Sequence, residues 1–132
     1  MSRMIYVGFL SHDIDGLCRF YRDVFGFNEL EGERTEIFRT LDCGNIQLCF
    51  HATEAYEILG LSEHAKRGGI VEMITFDASS EAEVSNLTKR AVDRGARLVK
   101  GPFVTYYNHY QVVLFDPDGN VFRITMPNRV RA

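Results

Sequence analysis

The sequence predicts an α+β fold made of two tandem βαβββ modules, and three observations carry that expectation. Short runs rich in β-branched and aromatic residues are punctuated by two longer stretches whose apolar residues recur at helical spacing. The series of strand, helix and three strands is read twice along the chain. Landmark glycines also repeat: Gly26 answers to Gly95 behind the helices, and Gly44-Asn45-Ile46 answers to Gly119-Asn120-Val121 before the last strands. One such unit cannot cover its own sheet, so a tandem pair is the reasonable solution.

In the first module, Met4 to Ser11 (MIYVGFLS) reads as a strand, and Asp13 as the N-cap of the helix after it. Leu17, Phe20, Tyr21 and Val24 fall at i, i+3, i+4 and i+7, one apolar stripe, and Gly26 ends the helix. Strands are expected at about 27–31, 35–42 and 45–51, the last two joined across Cys43-Gly44. Residues 52–68 are polar and small and read as a linker with a helical turn or two.

The second module opens with a strand at about 69–77. Ser80 with Glu83 makes a capping-box pattern, Val84, Leu87 and Ala91 a buried stripe, and Gly95 a stop. A strand at about 96–100 is expected to break at Gly101-Pro102. Tyr110 to Phe115 and Val121 to Met126 then form a hairpin around Asp116-Pro117-Asp118-Gly119, whose Pro and Gly stand in turn-favouring places. The organisation is thus one domain over residues 1–132: module one at about 4–51, the linker at about 52–68 and module two at about 69–126.

Composition excludes several classes. With 132 residues, 45% hydrophobic and 25% charged, the chain can bury roughly two-thirds of its unfolded surface and is neither disordered nor collagen-like. Fifteen Lys+Arg against 18 Asp+Glu give a net charge of −3, and no basic run marks a nucleic-acid footprint. No apolar stretch approaches the roughly 20 residues of a membrane span, and the N-terminal residues lack a signal-peptide pattern, so the expectation is a cytoplasmic protein. Cys18, Cys43 and Cys49 are odd in number, include no CxxC and read as small apolar residues rather than a disulfide or zinc framework. There is no GxSxG elbow, no P-loop and no GxGxxG. Asp116 and Asp118 are better explained by their turn than as catalytic carboxylates.

FYRDVFGF (Phe20 to Phe27), DRGARLVKGP (Asp93 to Pro102) and FDPDGNVFRI (Phe115 to Ile124) together resemble the vicinal oxygen chelate superfamily of glyoxalases, bleomycin-resistance proteins and extradiol dioxygenases. The likeness spans essentially the whole chain, with the motifs in the family's order. It implies a cup-shaped mixed sheet with the helices outside, and a homodimer. In metal-dependent members, four strand residues, typically His, Gln or Glu, hold a divalent ion. Carried over one at a time, those positions fall on Tyr6, on Gln47 or Cys49, on Glu72 and on Arg123. A guanidinium is always protonated and has no lone pair for a cation, so the resemblance implies a lost metal site and no cofactor.

Strand alternation places Tyr6, Gly8 and Leu10 on one face and Val7 and Phe9 on the other. Gln47, Cys49 and His51 share a face, as do Glu72, Ile74 and Phe76, and Val121, Arg123 and Thr125. The fold's pseudo-symmetry predicts an ion pair between Glu72 and Arg123, either an anchor for an anionic ligand or a bridge that only neutralises two charges. Tyr106, Tyr107, His109 and Tyr110 stand in the segment leading into the second hairpin, where they would border the pocket or pack a dimer interface. His12 and His64 are expected at the surface, His51 and His109 at strand ends near the cup.

The leading expectation is a metal-free protein that binds a polar or aromatic small molecule through Tyr6, Gln47, Cys49, His51, Glu72, Phe76, Tyr106, Tyr107, His109 and Arg123. One alternative is a glyoxalase I (lactoylglutathione lyase)-like or dioxygenase-like enzyme, holding Ni, Zn, Mn or Fe through unusual ligands such as Glu72 with His51 or His109. The other is a non-catalytic dimeric accessory module. No nucleic-acid or membrane partner is expected.

Overall fold

The computed structural model describes residues 4–65, 73–105 and 108–127. The chain divides into two compact units, Met1–Gly69 and Ile70–Ala132.

In the first unit, β1 (Tyr6–Ser11) leads into α1 (Ile14–Phe25), followed by β2 (Asn28–Glu29), β3 (Phe38–Asp42) and β4 (Gln47–Ala52). The sheet order is β1-β4-β3-β2, with β1 parallel to β4 and the other pairs antiparallel. The helix starts as its sequence dictates: the Asp13 carboxylate accepts the Gly16 N–H at 2.9 Å. It stops at Gly26, which takes the left-handed conformation (φ 77°) and donates its N–H to the Arg22 carbonyl. Between them the apolar stripe is buried against the sheet. Tyr21, fully buried, stacks on Phe9 of β1 at 5.7 Å and on Phe50 of β4 at 5.9 Å, with Phe20 edge-on at 5.0 Å. The stretch expected as a linker holds a short helix, α2 (Glu54–Ile58), and a single 3-10 turn at Ser62–His64.

The second unit repeats the plan. β5 (Ile74–Asp77), α3 (Glu81–Asp93), β6 (Arg97–Val104), β7 (Tyr110–Phe115) and β8 (Val121–Met126) give the order β5-β8-β7-β6, with β5 parallel to β8. Ser80 caps α3 by accepting the Glu83 N–H at 3.0 Å. The reciprocal half of the capping box is displaced by one residue, because the Glu83 carboxylate takes the Ser79 hydroxyl at 2.6 Å. Val84 and Ala91 are fully buried and Leu87 half-buried.

The expected break at Gly101-Pro102 does not occur: β6 runs through it with two register shifts against β7, and the Gly101–Pro102 peptide is cis. An edge strand accommodates this, since bulges absorb the extra residues and proline's missing donor goes unneeded on the outer side. Gly101 is required there. Its φ is 104°, and a Cβ would meet the Gln111 carbonyl oxygen at 2.7 Å. The β7–β8 turn is tied by Asp116, 3% exposed, whose Oδ1 accepts the backbone N–H groups of Asp118 and Asn120, each at 2.9 Å. Asp116 thus belongs to the turn, as its motif indicates.

Candidate functional site

Each sheet turns one face to its helix and presents its other face as a candidate site. In the first unit Tyr6 lies opposite Gln47, Gly8 opposite Cys49 and Leu10 opposite His51, while Phe9 and Phe50 point to α1. The alternation expected of β1 and β4 is therefore the one observed. β3 adds two residues that the sequence reading missed, Phe38 opposite His51 and Thr40 opposite Cys49. Counting back by twos from the Cys43-Gly44 turn would have found both.

Thr40 is fully buried, and its hydroxyl reaches Gln47 Oε1 at 3.3 Å and Cys49 Sγ at 3.3 Å. Burial raises the Cys49 thiol pKa above its ordinary 9.0, keeping it protonated at neutral pH. His51 is half-buried, its ring 5.0 Å from that of Phe38, and burial holds its pKa below the ordinary 6.5. Beyond Tyr6 and Gln47 opens a groove of about 860 Å³, whose walls include Ile5, Leu30, Asp42 and Asn45.

In the second unit the register corrects the sequence reading. Thr75, not a residue of the Ile74/Phe76 set, lies opposite Arg123. Ile74 and Phe76 pair instead with Phe122 and Ile124, on the opposite face, where the Phe76 ring sits edge-on to Phe122 at 6.1 Å. Phe76 therefore does not share a lining with Arg123. The one-residue slip arises because a short strand without polar alternation carries no register of its own; pairing with β8 supplies it.

The two units can be matched pair by pair. Asp42–Gln47 and Phe115–Val121 are the first pairs beyond the two turns, so Leu48 answers to Phe122 and Cys49 to Arg123. Val7 then answers to Ile74. Of Gln47 and Cys49, Cys49 is the counterpart of Arg123. Glu72, Tyr106 and Tyr107 lie outside the described residues, and so does the expected Glu72–Arg123 ion pair.

Arg123, half-buried, donates from Nε at 3.0 Å and from Nη2 at 2.8 Å to the Thr75 hydroxyl, which fixes the plane of its guanidinium. Next to it on the same face, Thr125 Oγ1 is buried without a hydrogen-bond partner. His109 is half-buried before β7, where its backbone N–H and carbonyl close a loop onto Thr105 at 2.9 and 2.8 Å. His12 and His64 are exposed, as expected. Among the described residues no three His, Cys, Asp or Glu side chains converge as a metal-binding group.

Two βαβββ units, each a mixed four-stranded sheet backed by a helix, define a recognisable class of α+β protein. The profile of the Glyoxalase/Bleomycin resistance protein/Dioxygenase superfamily matches residues 3–124, and the chain belongs to that superfamily. A glyoxalase/bleomycin resistance protein/dioxygenase family enzyme from Burkholderia phytofirmans PsJN is similar at 42% identity and a TM-score of 0.93, over 95% of this chain and 98% of that one. A glyoxalase-related enzyme from Fulvimarina pelagi shares the fold at 19% identity and a TM-score of 0.83, over 96% and 88% of the two chains. Lactoylglutathione lyase from Agrobacterium tumefaciens shares it at 20% identity and 0.72, over 96% and 95%. No curated protein sequence matches the chain. No helix among the described residues is long and apolar enough to cross a membrane.

Proposed function

We propose that this chain is a small-molecule-binding member of its superfamily that works without the divalent metal of its metal-dependent relatives, and that it acts as a homodimer. The observation that carries the reading is Arg123. It stands where the resemblance calls for a metal-binding carboxylate, with its guanidinium held flat by Thr75. The remaining donor positions support it. Tyr6 offers a phenol, and the Gln47 or Cys49 position an amide or a thiol that burial keeps protonated. This donor set does not fit a hard divalent ion. A guanidinium beside such an ion would also repel it in a low-dielectric setting.

The ligand in this reading is polar or aromatic. A carboxylate or comparable anion would be held at Arg123 in the second unit, while Tyr6, Gln47, Cys49 and His51 make a separate candidate surface on the first unit's open face. The test combines metal analysis with ligand stabilisation. Protein incubated with Ni, Zn, Mn or Fe(II) and desalted is expected to retain far less than one ion per chain. Benzoate, as an anionic aromatic probe, is expected to raise the melting temperature without metal, and Arg123→Ala to abolish that rise. A stoichiometric ion, or benzoate stabilisation untouched by Arg123→Ala, would overturn the proposal.

A further inference from the structure

β1 carries a glycine at its centre. Gly8 does not have a positive φ, so the backbone conformation there does not call for glycine. A glycine inside a strand weakens it and marks a place where something approaches the backbone closely. What approaches is His51: a Cβ built on Gly8 would lie 3.3 Å from its Cδ2, 3.4 Å from its Nε2 and 3.7 Å from the Cys49 Cβ. The imidazole therefore lies over β1, although its own residue is paired with Leu10, and Phe38 flanks it.

Two further observations give this arrangement a purpose. The His51 ring makes its contact with Phe38, and no side-chain hydrogen bond to it is found among the described residues, although the residue is half-buried. A held, half-desolvated imidazole without such a bond is a ready hydrogen-bonding group. The side chains on the same face include the Gln47 amide, the Thr40 hydroxyl and the Cys49 thiol that burial keeps protonated, so this face favours a neutral part of a ligand over an ionic one.

We propose that Gly8 is a positioning residue: the missing side chain lets the His51 imidazole lie across β1, so that its Nε2 edge and the Tyr6 phenol together receive an uncharged, hydroxyl-bearing ring of the ligand. This rests on the small-molecule-binding reading and names the ligand group that the first unit takes. The Phe38 ring and the flat glycine backbone favour a planar group, and Nε2 can accept the hydroxyl proton.

The test is NMR with phenol as the probe. The wild-type protein is expected to show a nuclear Overhauser contact between Gly8 Hα and His51 Hδ2, and phenol to shift the His51 and Tyr6 ring resonances. In Gly8→Ala the His51 resonances are expected to move and phenol affinity to fall at least fivefold. His51→Leu, which keeps the volume but removes the nitrogen, is expected to lose as much, and the double variant no more than either single one. Because His51→Leu leaves β1 untouched, it decides the ligand role even if Gly8→Ala does not fold. An absent contact, or unmoved His51 resonances in Gly8→Ala, would overturn the positioning role. Phenol that leaves the wild-type His51 resonances in place would overturn the ligand group. If benzoate still stabilises the protein through Arg123 in that case, the binding function stands and this inference alone falls.

Discussion

The cysteines show how local environment sets chemistry. Cys18 is 1% exposed, and its thiol pKa is raised to about 12, first by burial and then by the Glu29 carboxylate, whose Oε1 lies 3.7 Å from Sγ. Cys43 is raised to about 11, again mainly by burial. Both thiols are protonated at neutral pH and poor nucleophiles, consistent with reading them as small apolar residues. A folded-state pKa above the unfolded value stabilises the protein fully below the unfolded pKa. For Cys18 that contribution is lost as pH rises from 9.0 toward about 12. Urea midpoints at a series of alkaline pH values are therefore expected to fall less steeply in Cys18→Ala than in the wild type. Iodoacetamide at neutral pH is expected to label native Cys18 far more slowly than it labels the urea-unfolded chain.

Among the elements, the two helices depend on different terms. α1 is anchored by aromatic packing: Tyr21 has no exposed surface and meets Phe9, Phe20 and Phe50. Tyr21→Ala is expected to cost about 3–5 kcal/mol in urea denaturation, the range for emptying a large aromatic site in a core. α3 presents a smaller buried stripe, Val84 and Ala91, and relies more on its start. Ser80→Ala removes the acceptor of the Glu83 N–H and is expected to cost about 1 kcal/mol. The Ser79–Glu83 contact remains in that variant, so the loss stays near a single cap's worth. β6 shows what an element can absorb at a sheet edge, carrying a cis peptide and two register shifts and still pairing with β7 from Arg97 to Val104.

For the whole molecule, the expectation of a homodimer has one physical support. β6 is the edge of its sheet and leaves Leu98, Val99 and Val104 between 44% and 51% exposed. An exposed apolar edge of this length invites pairing unless a partner covers it. Sedimentation equilibrium is expected to give twice the chain mass, and Val99→Glu to shift it toward the single chain. An unchanged mass in that variant would place the interface elsewhere.

The repeat, both helices with their caps, the stop at Gly26 and the Asp116 turn were legible in the sequence. Each depends on a few adjacent residues: a side chain that caps, a glycine that takes φ > 0, or a stripe every third or fourth position. The face of β1 and β4 was legible for the same reason, since a two-residue period places Tyr6 with Gly8 and Gln47 with Cys49. The face of β5 was not, because ITFD has no clear alternation and only its pairing with β8 sets Thr75, rather than Ile74 or Phe76, beside Arg123. The same holds for the groups that complete the first unit's face. Thr40 reaches Gln47 and Cys49 from seven and nine residues away, and Phe38 reaches His51 from thirteen. By itself, then, the sequence determined the family and the order of elements, through local rules that need no partner strand. Tertiary structure decided which side chains share a face, because strand register is a property of the pair, and long-range pairing alone brings Gly8 under His51 and Thr75 onto Arg123.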